Sequence, residues 1–323
     1  MQVRNLETVH ISYPLSQDII ERYSGPQVLA LGQFDGVHLG HASVIQMAIK
    51  EGASQGIPVS LMTFHPHPKE VMKKGDYEGY LTPTREKENL LRSMGVDYLY
   101  VVEFNHEFSK VSPLEFVNEM LFPLRIHAAV AGFDFRFGHK GEGDVDILKR
   151  LGEGNFQVYT VPPFVMGGEK VSSSGIRKLL QEGDIALANE WLGRRYALSG
   201  TVINGEKRGR TIGFPTANVE LSEHYVLPRK GVYAVTVDYE GKVLHGVMNI
   251  GVKPTFHSGV SKPWFEVHLF DFSGDLYGRT LRVELVSYIR EERKFGSIDE
   301  LIAQITKDAD TARRLLGSLG TVR

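Results

Sequence analysis

The sequence predicts an α/β domain built on a parallel sheet, followed by a small antiparallel β-barrel that ends in a helix. In the first half, short and almost wholly apolar runs alternate with amphipathic stretches, the pattern of parallel strands covered on both faces by crossover helices. After about Asp184, β-rich segments follow one another across turns bearing Gly, Pro and Asp, as in a small barrel. Near the end, Ser297 and Glu300 have the spacing of a capping box ahead of a long amphipathic run. A chain of 323 residues exceeds the size at which one hydrophobic core keeps growing, so a division into two domains fits its length.

The strands expected in the first domain are 28–34, 59–64, 96–103, 128–132 and 156–162. Helices are expected near 41–53, 84–94, 113–121 and 144–151. Ligands of such sheets bind beyond the carboxyl ends of the strands. A short helix at 185–192 leads into barrel strands at 196–203, 231–237, 243–250, 265–270 and 280–287, with a last helix at 297–316. The domains are read as 1–185 and 186–323, without a low-complexity linker.

Composition narrows the chemistry. No cysteine is present, which removes disulfides, thiol nucleophiles, thiolate zinc sites and cysteine-bound clusters. A net charge of −2 supplies no general field for a nucleic-acid backbone. No run approaches the roughly 20 apolar residues that span a bilayer, and the first residues have no signal-peptide core. The reading is a cytoplasmic protein with no nucleic-acid or membrane partner and no obligate protein partner.

The segment from Gly32 to His41, GQFDGVHLGH, ends the first expected strand and opens the first helix. A helix N-terminus offers free N–H groups and partial positive charge to a phosphate. Gly36 and Gly40 let a nucleotide approach the backbone, while His38 and His41, three apart, share a face and can donate to phosphate oxygens. Adenylyl transfer requires little more than in-line positioning and stabilisation of charge on phosphate. A histidine-only zinc site recruiting His65 or His67 is the competing chemistry, and it lacks an obvious closed ligand set. A second signal is SSSGIR at 172–177, where serines cap a helix. Arg177 is expected in that helix's first turn, which disfavours a cation unless phosphate binds there; a solvated surface arginine is the plainer alternative.

In the second domain, GEKRGRTIGFPTAN from Gly205 to Asn218 combines glycines, cations and a Pro-Thr turn. Its glycines permit backbone N–H groups to crowd round a phosphate. Thr216 and Asn218 offer hard oxygen ligands suited to magnesium shared with nucleotide phosphates. Glu266 and His268 lie on one face of an alternating strand whose other face carries Val267 and Leu269. A carboxylate aimed into a barrel mouth can deprotonate a hydroxyl attacking a γ-phosphate, although a solvent-facing glutamate is the commoner case.

These motifs resemble the prokaryotic bifunctional riboflavin kinase/FMN adenylyltransferase (FAD synthetase) family. GQFDGVHLGH, TFHPHP, GFDFRFG from Gly132 to Gly138, and SSSGIR resemble its Rossmann-like nucleotidyltransferase domain. GRTIGFPTAN, KGVYAV, NIGVKPTF, FEVHLFDFSGDLYG and the late IREERKF resemble its flavokinase barrel, in the family's order. The resemblance implies phosphorylation of riboflavin to FMN and adenylylation of FMN to FAD, with ATP and Mg2+ serving both steps. It implies that His38, His41 and Arg177 act on ATP phosphates, with Gly32, Phe34, Asp35, Gly36, Gly40, Asp134, Ser173 and Ser174 around the nucleotide. Phe64 and Pro66 would meet the flavin there. In the kinase it implies Thr216 and Asn218 at the metal, Glu266 as general base, Gly209, Arg210, Gly213 and Asn249 at ATP, and Arg290 at the flavin. Serine replaces the family's usual threonine at position 174, keeping the hydroxyl, and position 134 is asparagine in some members. The alternatives are a chain with one live activity, the other domain binding flavin or regulating, and a flavin-sensing protein, which would need neither base nor paired histidines.

Overall fold

A computed structural model describes residues 5–73, 77–205, 208–253 and 262–317. The chain divides into two compact units: Met1–Tyr77 with Thr82–Ser173, and Glu78–Leu81 with Ser174–Arg323.

The first unit begins with β1 (Glu7–Ile11), α1 (Gln17–Tyr23), β2 (Val28–Leu31), α2 (Leu39–Gln55) and β3 (Val59–His65). It continues through α3 (Pro68–Val71), α4 (Thr84–Met94), β4 (Tyr98–Glu103), α5 (Pro113–Phe116), β5 (Ala128–Gly132), α6 (Val145–Gly152) and β6 (Gln157–Val161). The hairpin β7 (Val165–Met166) and β8 (Glu169–Lys170) follows. The sheet is parallel, in the order β1-β4-β3-β2-β5-β6. Alternation along each strand feeds two cores. Val28 and Ala30 pack with Val44, Ile45 and Ala48 of α2 on one face, while Leu29 and Leu31 pack with Phe116, Met120 and Leu148 on the other. Burying one such aliphatic side chain is worth about 1.5–3 kcal/mol, which is why a doubly covered strand can be apolar throughout.

Several first-unit elements depart from expectation: α1, α3 and the β7–β8 hairpin were not anticipated, and two further differences bear on the sheet and its cover. Strand β1 was not anticipated: it lies at the sheet edge, pairs only with β4, and has just Val9 and Ile11 as buried strand residues. The helix expected over 113–121 is regular only through α5 and then runs into a π turn at Val117–Leu121.

The second unit carries α7 (Ser173–Glu182, from its second residue), α8 (Ile185–Leu192) and six strands. These are β9 (Ala197–Ile203), β10 (Ala217–Leu221), β11 (Gly231–Tyr239), β12 (Lys242–Lys253), β13 (Lys262–Leu269) and β14 (Thr280–Arg290). The short α9 (Arg208–Thr211) precedes β10, and α10 (Ile298–Gly317) ends the described chain. The strands close an antiparallel barrel in the order β10-β13-β12-β11-β14-β9. Segment Glu78–Leu81 joins this unit because Tyr80 bridges Tyr225 and its backbone bonds His224 and Val226. Helix α10 covers one outer face of the barrel: Ala309, Ala312 and Leu316 pack on Val232, Ala234 and Val247. Its N-terminus is capped by Ser297 Oγ, which accepts from Glu300 N, while Glu300 reaches back to Gly296 N rather than to Ser297. Among the described residues no helix is long and apolar enough to cross a membrane.

Candidate active sites

The sheet order places a topological switch at β2 and β5: successive strands run outward from β2 through β3 to β4, then return to β2's other side as β5. Loops leaving two such strands part at their carboxyl ends and form a crevice for ligands. Gly32–His41 leaves β2, and the stretch containing Asp134 leaves β5, whose Ala131 is in register with Leu31.

Within the first loop, His38 is the N-cap of α2 instead of lying inside its first turn, and its Nδ1 accepts from His41 N at 3.2 Å. That bond makes Nδ1 the acceptor nitrogen, so the ring's proton resides on Nε2, which is then a donor suited to a phosphate oxygen. The two imidazoles stack at 3.7 Å with 15° between their planes. Gly40 makes room for this arrangement, because a Cβ there would stand 3.1 Å from His38 Cε1. Positive φ at Phe34 (49°) and Val37 (40°) brackets Gly36 (95°), a concentration of backbone strain typical of a functional turn. Asp35 is buried and accepts from Thr82 N at 3.1 Å, and Ser173 Oγ donates to Asp35 O at 2.7 Å. Asp134 is exposed and accepts from Lys170 Nζ at 2.5 Å.

Sequence reasoning missed Lys87. Its ammonium is buried and donates to Gln33 O (3.1 Å) and Thr63 Oγ1 (3.2 Å), directly behind the strained turn. Burial pulls its pKa down to about 8, partly opposed by the nearby Asp35 charge. The available signal was its place on the apolar face of α4, one turn before buried Leu91.

Beyond the carboxyl ends of β3, β4 and β5 lies a cavity of about 470 Å3 walled by Phe64, Phe104, Phe108, Phe116 and Phe137, with Lys69, Arg136 and Lys140 also among its walls. An aromatic slot edged by cations suits a flat, anionic heteroaromatic ligand. Phe64 is among the described residues that line it; Pro66 is not.

The SSSGIR segment is arranged differently from expectation. Helix α7 starts at Ser173, so Arg177 lies beyond its first turn, where the dipole penalty has faded. Arg177 Nη2 donates to Gly79 O at 2.9 Å. Ser174 and Arg177 cluster with the second unit and Ser173 with the first.

In the barrel, strand register does the assembling. Asn218 of β10 is paired with Glu266 of β13, and Glu266 with Asn249 of β12. Asn249 is opposite Val232 of β11, which is opposite Arg290 of β14. Directly paired residues project to the same side of a sheet. This row therefore shares the face of Val232 and Val247, the outer face under α10, while Phe265, Val267 and Leu269 are buried on the other. Glu266 thus looks into a cavity between barrel and helix, and not down the barrel's mouth.

That cavity, of about 400 Å3, is lined by Thr216, Asn218, Asn249, Glu266, Trp264 and Phe295, with Gly209 and Arg290 also at its wall. A neighbouring cavity of about 560 Å3, lined by Leu269, Phe272 and Tyr277, shares Thr216 with it. His268 Nδ1 donates to Pro215 O at 2.8 Å and so holds the turn that presents Thr216. Gly209 packs against the Phe214 carbonyl with no room for a Cβ. Gly213 has φ 85°. The side chain of Arg210 and the Pro254-Thr255-Phe256 part of NIGVKPTF lie outside the described residues.

The donor set fits magnesium. Asn218 Oδ1 is buried with no hydrogen-bond partner among the described residues, an orphaned hard oxygen that a cation would satisfy. No cluster of three His, Cys, Asp or Glu side chains occurs among the described residues.

The FAD synthetase family model matches residues 20–175, and the riboflavin kinase family model matches residues 192–316. The bifunctional riboflavin kinase/FMN adenylyltransferase of Bacillus subtilis (strain 168) is 43% identical over 316 residues, covering 97% of this chain and 99% of its own length. The Escherichia coli (strain K12) protein of the same description is 43% identical over 293 residues, 90% of this chain and 93% of its own. Among solved structures, one described as a macrolide-efflux protein from Streptococcus pneumoniae superposes with a TM-score of 0.85 at 31% identity, covering 95% of this chain and 98% of that one. With both family models present in order and such identity over almost the whole length, the chain belongs to the bifunctional riboflavin kinase/FMN adenylyltransferase family.

Proposed function

We propose that the two activities of this enzyme, riboflavin kinase and FMN adenylyltransferase, reside in the two sites described above, one on the parallel sheet and one on the barrel. The row Asn218–Glu266–Asn249 is the observation that carries the reading. It sets a metal-ligating amide beside a carboxylate base within one cavity, which a merely flavin-binding or regulatory barrel would not need.

In the kinase, riboflavin occupies the cavity of Trp264 and Phe295, and ATP the cavity of Phe272 and Tyr277. The reacting groups meet at Thr216, which borders both. Glu266 takes the proton of the ribityl hydroxyl as oxygen attacks the γ-phosphorus and ADP departs. Thr216 and Asn218 would hold Mg2+, which when bound supplies positive charge to the nucleotide phosphates. The family resemblance assigns Gly209, Arg210, Gly213 and Asn249 to the nucleotide, although Gly209 and Asn249 line the riboflavin cavity; Arg290 belongs to the flavin side.

In the transferase, the FMN ring lies in the phenylalanine cavity near Phe64 and Pro66. Its phosphate attacks the α-phosphorus of ATP and pyrophosphate leaves. His38 Nε2–H and His41 donate to the phosphates, assisted by backbone groups of Gly32–Gly40 and by Ser173. Asp134 borders the nucleotide. On this reading the transferase occupies 1–185 and the kinase 186–323, and no nucleic acid, membrane or obligate protein partner takes part. We read the enzyme as cytoplasmic, where its ATP is supplied.

Purified protein supplied with riboflavin, ATP and Mg2+ should yield FMN and then FAD on chromatography, and neither without Mg2+. FMN accumulation with no FAD, or FAD formed from FMN but none from riboflavin, would overturn the assignment of two live sites.

A further inference from the structure

One wall of the kinase cavity is held by a buried ion pair. Arg290, at the end of β14, turns its guanidinium onto Asp308 of α10: Nε lies 3.0 Å from both carboxylate oxygens and Nη2 lies 2.7 Å from Oδ2. Asp308 is only 4% exposed at its side chain, and Arg290 20%. Gln304, one turn earlier on α10, donates to Asp308 Oδ1 at 2.7 Å. Arg290 Nη1 also donates to Glu291 O at 2.8 Å, which fixes the chain leaving β14. That chain leads to Phe295, whose ring centre is 5.8 Å from the Arg290 guanidinium carbon and 4.8 Å from that of Arg293. The connection therefore runs from a buried carboxylate, through a clamped arginine, to an aromatic side chain in the cavity wall.

We infer that Asp308 is a positioning residue of the kinase: by clamping Arg290 it holds Phe295 and α10 in place as the flavin-facing wall. Asp308 acts through Arg290 and takes no part in phosphoryl transfer. This rests on assigning the Trp264–Phe295 cavity to riboflavin. Physical logic supports a geometric role for the pair. Burying an arginine–carboxylate pair contributes little net stability compared with apolar residues of similar size, because desolvation opposes the attraction. What the pair does provide is a planar, bidentate geometry that apolar residues do not reproduce.

The test uses the full-length enzyme, with its adenylyltransferase activity as internal control. Asp308→Asn should raise the riboflavin KM of the kinase about tenfold with kcat nearly unchanged, and leave FAD formation from supplied FMN unaltered. Asp308→Glu should recover part of the loss. A fall in kcat at constant riboflavin KM would overturn the proposal. Because a lone buried guanidinium can unfold the barrel, the paired variant Arg290→Met/Asp308→Leu is measured too, by thermal melting and by riboflavin fluorescence quenching. Native melting with native binding in this variant shows that the pair only holds the fold together and sinks the proposal; support for positioning rests on Asp308→Asn weakening riboflavin binding with Arg290 intact. Phe295→Ala tests the cavity assignment separately. If it leaves riboflavin binding intact, the assignment itself fails, whatever the Asp308 variants do.

Discussion

Asn218 and Glu266 are direct cross-strand partners, and the antiparallel pairing of β10 with β13 places their side chains side by side on the barrel's outer face. Neither position announces this in sequence, since they lie on strands separated by β11 and β12. Once paired, the amide oxygen that suits a cation and the carboxylate that suits a proton occupy adjacent places. On the proposed reading, Asn218 would help to hold the metal and Glu266 would serve as base in the same phosphoryl transfer.

The Glu266→Gln variant keeps size and one hydrogen-bonding oxygen while removing the base. FMN formation should fall by ~10²–10⁴-fold, the usual contribution of a general base. FAD formation from supplied FMN should be unchanged. Initial rates of both reactions, read by chromatography from one preparation, decide the matter, and wild-type FMN production would remove Glu266 from the role.

Gly205→Ala tests the amide without touching it. A methyl group at Gly205 would be driven into the Asn218 side-chain amide, so Asn218 must move. The kinase should then need more magnesium for half-maximal rate, whereas adenylylation should keep its magnesium dependence. An unshifted magnesium curve for the kinase would mean that Asn218 is not a ligand.

For the N-terminal site, His38→Asn separates two duties of one side chain. Asparagine is a good N-cap, so α2 should keep its start and the unit its melting temperature. The Nε2–H donor is lost, and FAD formation should fall by at least tenfold while the kinase rate persists. His41→Ala should likewise abolish FAD formation alone. Loss of both activities in either folded variant would contradict separate sites.

Much of this was legible in local pattern. Alternation about Glu266 showed which residues share its face, and the strand-to-helix glycines marked the histidine turn. Long-range register was not legible: that Asn218, Glu266, Asn249, Val232 and Arg290 form one row follows only from barrel closure. Barrel closure also puts that row on the outer face, so the expectation of a carboxylate in the barrel mouth gave way to a cavity under α10. Strand β10 was missed because Ala217–Leu221 follows directly on the Pro-Thr turn and has only two buried residues. Arg177 was placed a turn too early because three consecutive serines offer equivalent caps. Lys87 and Asp308 were not singled out in the sequence, and only the packed structure shows their partners.

Lys87 makes the stability of the first unit depend on pH in a direction opposite to most surface charges. Its folded pKa is brought down to about 8 by burial, below the ordinary lysine value. Below about pH 8 the lysine is charged in both folded and unfolded chains, and the full cost of burying that charge is present. Between pH 8 and the ordinary lysine pKa, the unfolded chain binds the proton and the folded chain does not, so stability rises with pH. Above both values the cost has gone. Lys87→Met removes the titrating group while keeping an unbranched chain in the same space. Urea unfolding of the first unit's transition, measured at pH 7 and pH 9.5, should show the wild type gaining on this variant by about 1–2 kcal/mol over the interval. A difference that stays constant, or shrinks, between those pH values would mean that the buried ammonium keeps its proton throughout, held by Asp35 more strongly than burial expels it.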